Sequence, residues 1–268
     1  MSRDDKQAFR ERVWAELQQA GAARFPGARG RIPNFTGAEA AAARLAGLPE
    51  WERAAALKAN PDSPQLPVRT RALEDGKIVY MAVPKLADTR PFLALDPARL
   101  NIPLRKAASI KGAASVGTPV SFGHMQPLDL VVCGSVVVNR AGARIGKGGG
   151  FSDLEFALAT EAGLIGDDTV VATTVHPVQI LDEDLPETEH DFRVDLVVTP
   201  DHVVWCRQVS SGHRPTGIIW DHLDDEKIAA IPALSARRPT ELRQDASGRR
   251  PSATLRRAAR SGRMATSR

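Results

Sequence analysis

Residues 129–153 read DLVVCGSVVVNRAGARIGKGGGFSD. Asp129 to Val138 is one continuous apolar run, the pattern of a strand buried on both faces of a parallel sheet. Arg144 to Asp153 then sets Gly146, Gly148, Gly149 and Gly150 among Arg144, Lys147 and Asp153. A helix is expected from about Asp153 to Ala162, closed by Gly163. A turn between strand and helix is where α/β sheets seat ligands, at the carboxyl end of a strand. Glycines allow positive φ and let a ligand approach the main chain closely. Their amides form an anion nest, and the following helix N-terminus adds partial positive charge. Arg144 contributes a planar cationic fork and Lys147 a point charge.

Working outward, Lys77–Val83, Thr169–Val175, Val194–Thr199 and His202–Cys206 read as further strands. The last two are separated by Pro200-Asp201, which predicts a hairpin. Helices are expected over 4–20, where Phe9, Val13, Trp14 and Leu17 recur at helical spacing, and over 37–48, 50–58 and 68–74. Arg24–Phe35 and Asn60–Pro67 are loops punctuated by Pro and Gly, and Arg90–Leu104 is less regular. Strands alternating with helices predict an α/β fold, a three-layer α/β/α sandwich with a mostly parallel central sheet. One domain is expected over 1–232, followed by a disordered Arg-rich tail over 233–268.

Composition supports a globular core: 43% of the 268 residues are hydrophobic and 25% charged. The net charge of +4 divides unevenly. From Arg237 onward there are ten Arg against Glu241 and Asp245, a balance of +8, which leaves −4 for the rest. The basic character therefore belongs to the tail, and a nucleic-acid partner is expected only through it. The tail lacks interleaved aromatics and so offers no base-stacking platform. No apolar run reaches the roughly 20 residues of a membrane span. The opening MSRDDKQAFRERVW carries both charges and no apolar core, which predicts no secretory leader there and a cytoplasmic protein. Cys133 and Cys206 have no CxxC spacing, so they read as buried reduced thiols, and no zinc spacing is present.

The glycine turn is not a Walker A loop, because no GK[ST] follows a first Gly after four spacers. It is not a dinucleotide fingerprint either, since the third small position falls on Phe151. Elsewhere, Lys6 and Arg10 lie four apart on one helix face, where they are either phosphate ligands or solvated charges. His176 ends a strand and either lines a cleft or serves structure. Arg31 and Arg69, near Pro-containing loops, are further anion candidates. Adjacent His190 and Asp191 cannot share a face of a regular element, and no GxSxG elbow exists, so a nucleophilic triad is not expected.

The run Leu128–Val132 with Arg144–Asp153 resembles the 5-formyltetrahydrofolate cyclo-ligase (methenyltetrahydrofolate synthetase) family, whose signature is Arg-x-Gly-x-Gly-x-Gly-Tyr-Tyr-Asp after a buried strand. Lys6 and Arg10, Gly76-Lys77, Val83-Pro84, Val175-His176, Gln179, His190-Asp191 and Thr199-Pro200 resemble the family's other landmarks in order. The similarity covers roughly residues 4 to 222. Arg31–Phe35, Asn60–Asp62, Val68-Arg69, Asp153–Glu155 and Gly217–Trp220 look closer to its divergent methenyltetrahydrofolate synthetase domain-containing branch.

The resemblance implies ATP and Mg²⁺ as cofactors and a reduced folate, or a related heterocycle, as substrate. It implies an ATP-dependent ligase converting 5-formyltetrahydrofolate to 5,10-methenyltetrahydrofolate. Carried over by position, Lys147 and Arg144 would be catalytic. Lys6, Arg10, Arg144, Gly146, Lys147, Gly148, Gly149, Gly150, Phe151 and Asp153 would bind nucleotide, with Asp153 also on the metal. Asp62, Phe151, Ser152 and His176 would face the substrate. Phe151-Ser152 replaces the family's Tyr-Tyr, and Asn60–Gln65 replaces a Glu-x-x-Thr motif, with Asp62 standing for the Glu. The nucleotide half thus reads as retained and the folate half as rebuilt. The alternative is a non-catalytic nucleotide- or folate-binding paralogue with a regulatory or nucleic-acid-associated role.

Overall fold

The computed structural model describes residues 3–206 and 214–239. In chain order the elements are α1 (Arg3–Gln19), α2 (Ala38–Ala46), α3 (Pro49–Arg53), β1 (Ala56–Ala59), α4 (Leu66–Glu74), β2 (Ile78–Ala82) and β3 (Phe92–Leu95). Then come α5 (Leu104–Ala107), α6 (Ile110–Val116), β4 (Thr118–Val120), β5 (Leu130–Cys133), β6 (Val137–Asn139), β7 (Arg144–Ile145) and α7 (Phe151–Glu161). The chain closes with β8 (Val170–Thr174), β9 (Ile180–Leu181), β10 (Leu196–Val198), β11 (Val203–Trp205), α8 (Asp225–Ala230) and α9 (Pro232–Ser235).

Eight strands form one sheet in the order β11-β10-β8-β5-β1-β2-β3-β4. The five strands from β10 to β2 are parallel, and antiparallel pairs occur only toward the two edges. Side chains alternate between faces, as the strand period requires. Leu57, Val79, Leu130 and Val132 pack with α2, α4 and α5 on one side, while Ala56, Tyr80, Val131 and Cys133 pack with α7, α8 and α9 on the other. The three-layer α/β/α sandwich is therefore the observed fold. A second sheet, β7-β6-β9, packs with α1 through Val13, Leu17, Val137 and Ile145.

Several expectations need correction. The run Asp129–Val138 is not one strand. It breaks at Gly134 and Ser135, so β5 belongs to the large sheet and β6 to the small one. At Gly134 a Cβ would lie 2.8 Å from Ile32, and the backbone turns there under that close approach. The strand preceding the glycine turn is consequently β7, antiparallel to β6, and not a central parallel strand. The helix expected over 50–58 stops at Arg53, and Ala56–Ala59 is the central strand β1. The irregular stretch 90–104 contains β3. Helix α9 spans Pro232–Ser235, across the boundary expected after residue 232, and buries Ala233 and Leu234. Residues 240–268 lie outside the described part. Cys133 is buried but Cys206 is only partly so, and both are free thiols. No helix among the described residues is long and apolar enough to cross a membrane.

Candidate functional site

From central β1 the chain moves to β2 on one side and later to β5 on the other. That reversal is the topological switch point, and its crevice lies beyond the carboxyl ends of β1 and β5. Asn60 leaves β1 there, its amide donating to the Val132 carbonyl at 3.1 Å. The glycine turn reaches this point from the small sheet through two contacts. Lys147 Nζ lies 2.8 Å from Asp62 Oδ1, and Asn60 Nδ2 donates to Ser152 Oγ at 3.4 Å.

The turn is shaped by Gly148 at φ +103° and Gly150 at φ +67°, conformations that L side chains adopt rarely. Gly150 is the N-cap of α7 and provides no side-chain cap. Among the described residues, the backbone amides from Gly146 to Asp153 donate no hydrogen bond. Main-chain donors without partners at a helix N-terminus are the donor set an anion requires.

Charged groups surround these amides. Arg10 Nε donates to the Gly146 carbonyl at 2.7 Å, and its guanidinium lies beside Gly148. Arg144 is 2.6 Å from Asp153 Oδ1 and stacks 4.0 Å above the Phe192 ring, with its Nε lacking a hydrogen-bond partner. Burial pushes the Arg144 guanidinium down, but Asp153 and its other neighbours outweigh this and hold it above its ordinary value. Lys6 is 2.5 Å from Asp191, which also accepts from the Thr188 amide and hydroxyl. Burial raises the Asp191 carboxyl, yet the bonds from Lys6 and Thr188 prevail and lower it.

The predicted residues thus divide. Lys6, Arg10, Arg144, Lys147, Asp153, Asp62 and Ser152 are linked to the turn directly or through Asp191, whose charge acts on both Arg10 and Arg144. Phe151 is half-buried at the head of α7. The His176 ring meets other partners: Nδ1 accepts from the Val178 amide at 3.3 Å and the ring meets Phe35 edge-on. Burial lowers its pKa. Arg69 is buried, and its guanidinium holds the carbonyls of Asn60, Pro61, Asp62 and Ala108. It shapes the loop. Its pKa falls to about 10, burial prevailing over Asp62. Arg31 is exposed and its carbonyl accepts from Trp14.

Sequence reasoning missed the support beneath the turn. Buried Lys58 lies 2.5 Å from Glu155 and donates to Asn60 Oδ1 at 2.6 Å, which ties β1 to α7. A lysine inside the apolar strand ALKA was the available signal, because a buried charge requires a partner. Lys227 of α8 was missed as well. It reaches the Gly149 carbonyl at 3.4 Å from a segment distant in sequence.

Residues 2–200 match the 5-formyltetrahydrofolate cyclo-ligase family. The methenyltetrahydrofolate synthase domain-containing protein of Mus musculus is 38% identical over 243 residues, covering 88% of this chain and 64% of that protein. Its Homo sapiens counterpart is 36% identical over 244 residues, covering 88% and 62%. The chain spans a little under two thirds of the length of these relatives. The NMR structure of Aquifex aeolicus 5,10-methenyltetrahydrofolate synthetase is 18% identical, covers 77% of this chain and 95% of that one, and superposes with a TM-score of 0.49. The matched segment runs from α1 to the end of β10 and includes the glycine turn and its cations, and on that match the chain belongs to the 5-formyltetrahydrofolate cyclo-ligase family.

Proposed function

We propose that this protein binds ATP through the turn Arg144–Asp153 and activates a reduced folate, or a related heterocycle, as a cyclo-ligase does. The observation that carries the proposal is the set of amides from Gly146 to Asp153 with no protein partner among the described residues, ringed by Arg10, Arg144 and Lys147. Phosphoryl transfer asks a protein mainly for positioning and charge neutralisation, which this donor set supplies. In the proposed reaction the formyl oxygen of 5-formyltetrahydrofolate accepts the terminal phosphoryl group of ATP, and ADP leaves. The neighbouring amine closes onto that carbon and gives up its proton, and phosphate leaves with the former formyl oxygen.

The residues fit Mg²⁺ in a limited way. Asp153 is a single carboxylate with one oxygen on Arg144, and no group of three or more His, Cys, Asp and Glu side chains among the described residues is arranged to hold a metal. Mg²⁺ commonly takes one or two carboxylates together with phosphate oxygens, so Asp153 would hold it jointly with nucleotide. Lys147 is engaged by Asp62 and must exchange that partner for phosphate, which frees Asp62 toward the substrate side of the crevice. Phe151 presents an apolar face and Ser152 a hydroxyl where the family has two tyrosines.

Purified protein is incubated with 5-formyltetrahydrofolate, ATP and Mg²⁺, and the methenyl product is followed by absorbance. Turnover is expected. ATP binding without turnover would replace this reading with a non-catalytic nucleotide-binding role. Lys147→Ala is expected to weaken ATP binding by about 1–3 kcal/mol, the scale of a charge-assisted hydrogen bond. Unchanged affinity by calorimetry removes Lys147 from the site.

A further inference from the structure

Residues 214–239 lie beyond the family match and run along α7 from its end back to its start. Arg214 is 2.5 Å from Asp195, and the Ile218 amide donates to Glu161 Oε1, at the last residue of α7, at 2.8 Å. Ile218, Trp220 and Leu223 pack on the core that α7 covers, and His222 Nδ1 is 3.2 Å from His190 Nδ1. Asp224 then caps α8 by accepting from the Lys227 amide at 2.7 Å, which fixes the base of that side chain.

Lys227 Nζ stands at the far end of the glycine turn from Lys147. It is 3.4 Å from the Gly149 carbonyl and 5.8 Å from the Phe151 ring centroid, and a Cβ built on Gly150 would lie 3.2 Å from it. The cations around the turn differ in how far their charge is already spent. Arg144 is paired with Asp153, Lys147 with Asp62, and Lys6 with Asp191, whereas Arg10 is held at the opposite end of the turn by the Gly146 carbonyl at 2.7 Å and by Gln7. Lys227 has no carboxylate partner among the described residues, only a long bond to a carbonyl and the face of the Phe151 ring. An incoming anion must break an ion pair to recruit Lys147, but only weak contacts with neutral groups to recruit Lys227.

Resting on the reading that the turn binds ATP, we propose that Lys227 is a phosphate-binding residue. Its ammonium leaves the Gly149 carbonyl and pairs with phosphate oxygens at the Gly149–Phe151 end of the turn. The C-terminal segment thereby completes a site that the family-matched part leaves open on that side.

Calorimetry on the full chain compares ATP with adenosine for the wild type, Lys147→Ala, Lys227→Gln and Lys227→Arg. Gln keeps an N–H for Gly149 but not the charge, so a purely structural role survives in it, whereas Arg keeps both. Lys227→Gln is expected to bind ATP about tenfold or more weakly, with adenosine binding unchanged. Lys227→Arg is expected to retain most ATP affinity, and ligand-free melting temperatures should match the wild type. Wild-type ATP affinity in Lys227→Gln, with Lys147→Ala weakened, overturns the role of Lys227 and leaves the nucleotide reading standing. No ATP binding by the wild type overturns both.

Discussion

At Arg144 one side chain bears on stability and on the proposed site together. Its guanidinium is almost wholly buried, at 2% exposure, beside Asp153 and over Phe192, which itself stacks on Phe156 at 4.3 Å. Removing one partner of a buried pair leaves the other charge uncompensated. Arg144→Met is therefore expected to cost about 3–5 kcal/mol in chemical denaturation, far more than an exposed arginine. Lys6 and Asp191 form a second, partly buried pair. In Lys6→Met the Asp191 carboxyl loses the bond that helps hold it below 3.8, and carboxyl-carbon NMR should show its pKa rising. The depressed native value adds stability that is present above 3.8 and is lost as pH falls through the native value. In Lys6→Met that acid loss begins at higher pH. Lys6 and Arg10 were legible as a pair from their spacing, but Asp191 as the partner of Lys6 was not. The two are 185 residues apart, and only folding decides which acid meets which base.

Among the elements, the β6–β7 hairpin shows how the turn is held in place. Gly142 sits at φ +85°, its amide donates to the Asn139 carbonyl, and a Cβ there would lie 2.2 Å from the Val194 carbonyl oxygen. Gly142→Ala combines backbone strain with a clash against main chain. A loss of about 2 kcal/mol or more is expected, measured by thermal unfolding, with a weakened ligand response because Arg144 follows two residues later. Strand β1 escaped the sequence reading for a related reason. Ala56-Leu57-Lys58-Ala59 is made of good helix formers and follows a short helix, so local preference favours continuing that helix. Pairing with β2 on one side and β5 on the other, with both faces buried, overrides that preference. The apolar run 129–138 misled in the opposite way, since apolarity reports burial and not which sheet a strand joins.

For the molecule as a whole, the C-terminal segment is attached partly through histidines. His190 and His222 face each other at 3.2 Å, with Thr188, Asp191, Asp153 and Lys6 around His190. Burial lowers the His190 pKa from its ordinary 6.5, Asp191 and Asp153 opposing, and burial likewise lowers His176. The unfolded chain then takes up protons before the native one does. Stability is full above about 6.5 and falls as pH drops below it toward the native values. Scanning calorimetry from pH 7.5 to 5 should show a falling melting temperature, and His190→Gln should flatten part of that slope.

Legible in the linear chain were the layered α/β class, strands β2, β8, β10 and β11, helices α1, α2, α4 and α7, and the glycine turn with its flanking cations. These follow from short-range patterns: apolar period, capping and turn residues, and glycine spacing. Tertiary structure alone decided that β1 is the central strand, that the turn arrives from a second sheet, and that Arg69 holds the carbonyls of the Asn60–Asp62 loop. It also decided that Lys227 stands over the turn. Each of those depends on contacts between residues far apart in the chain, whose geometry no local pattern encodes.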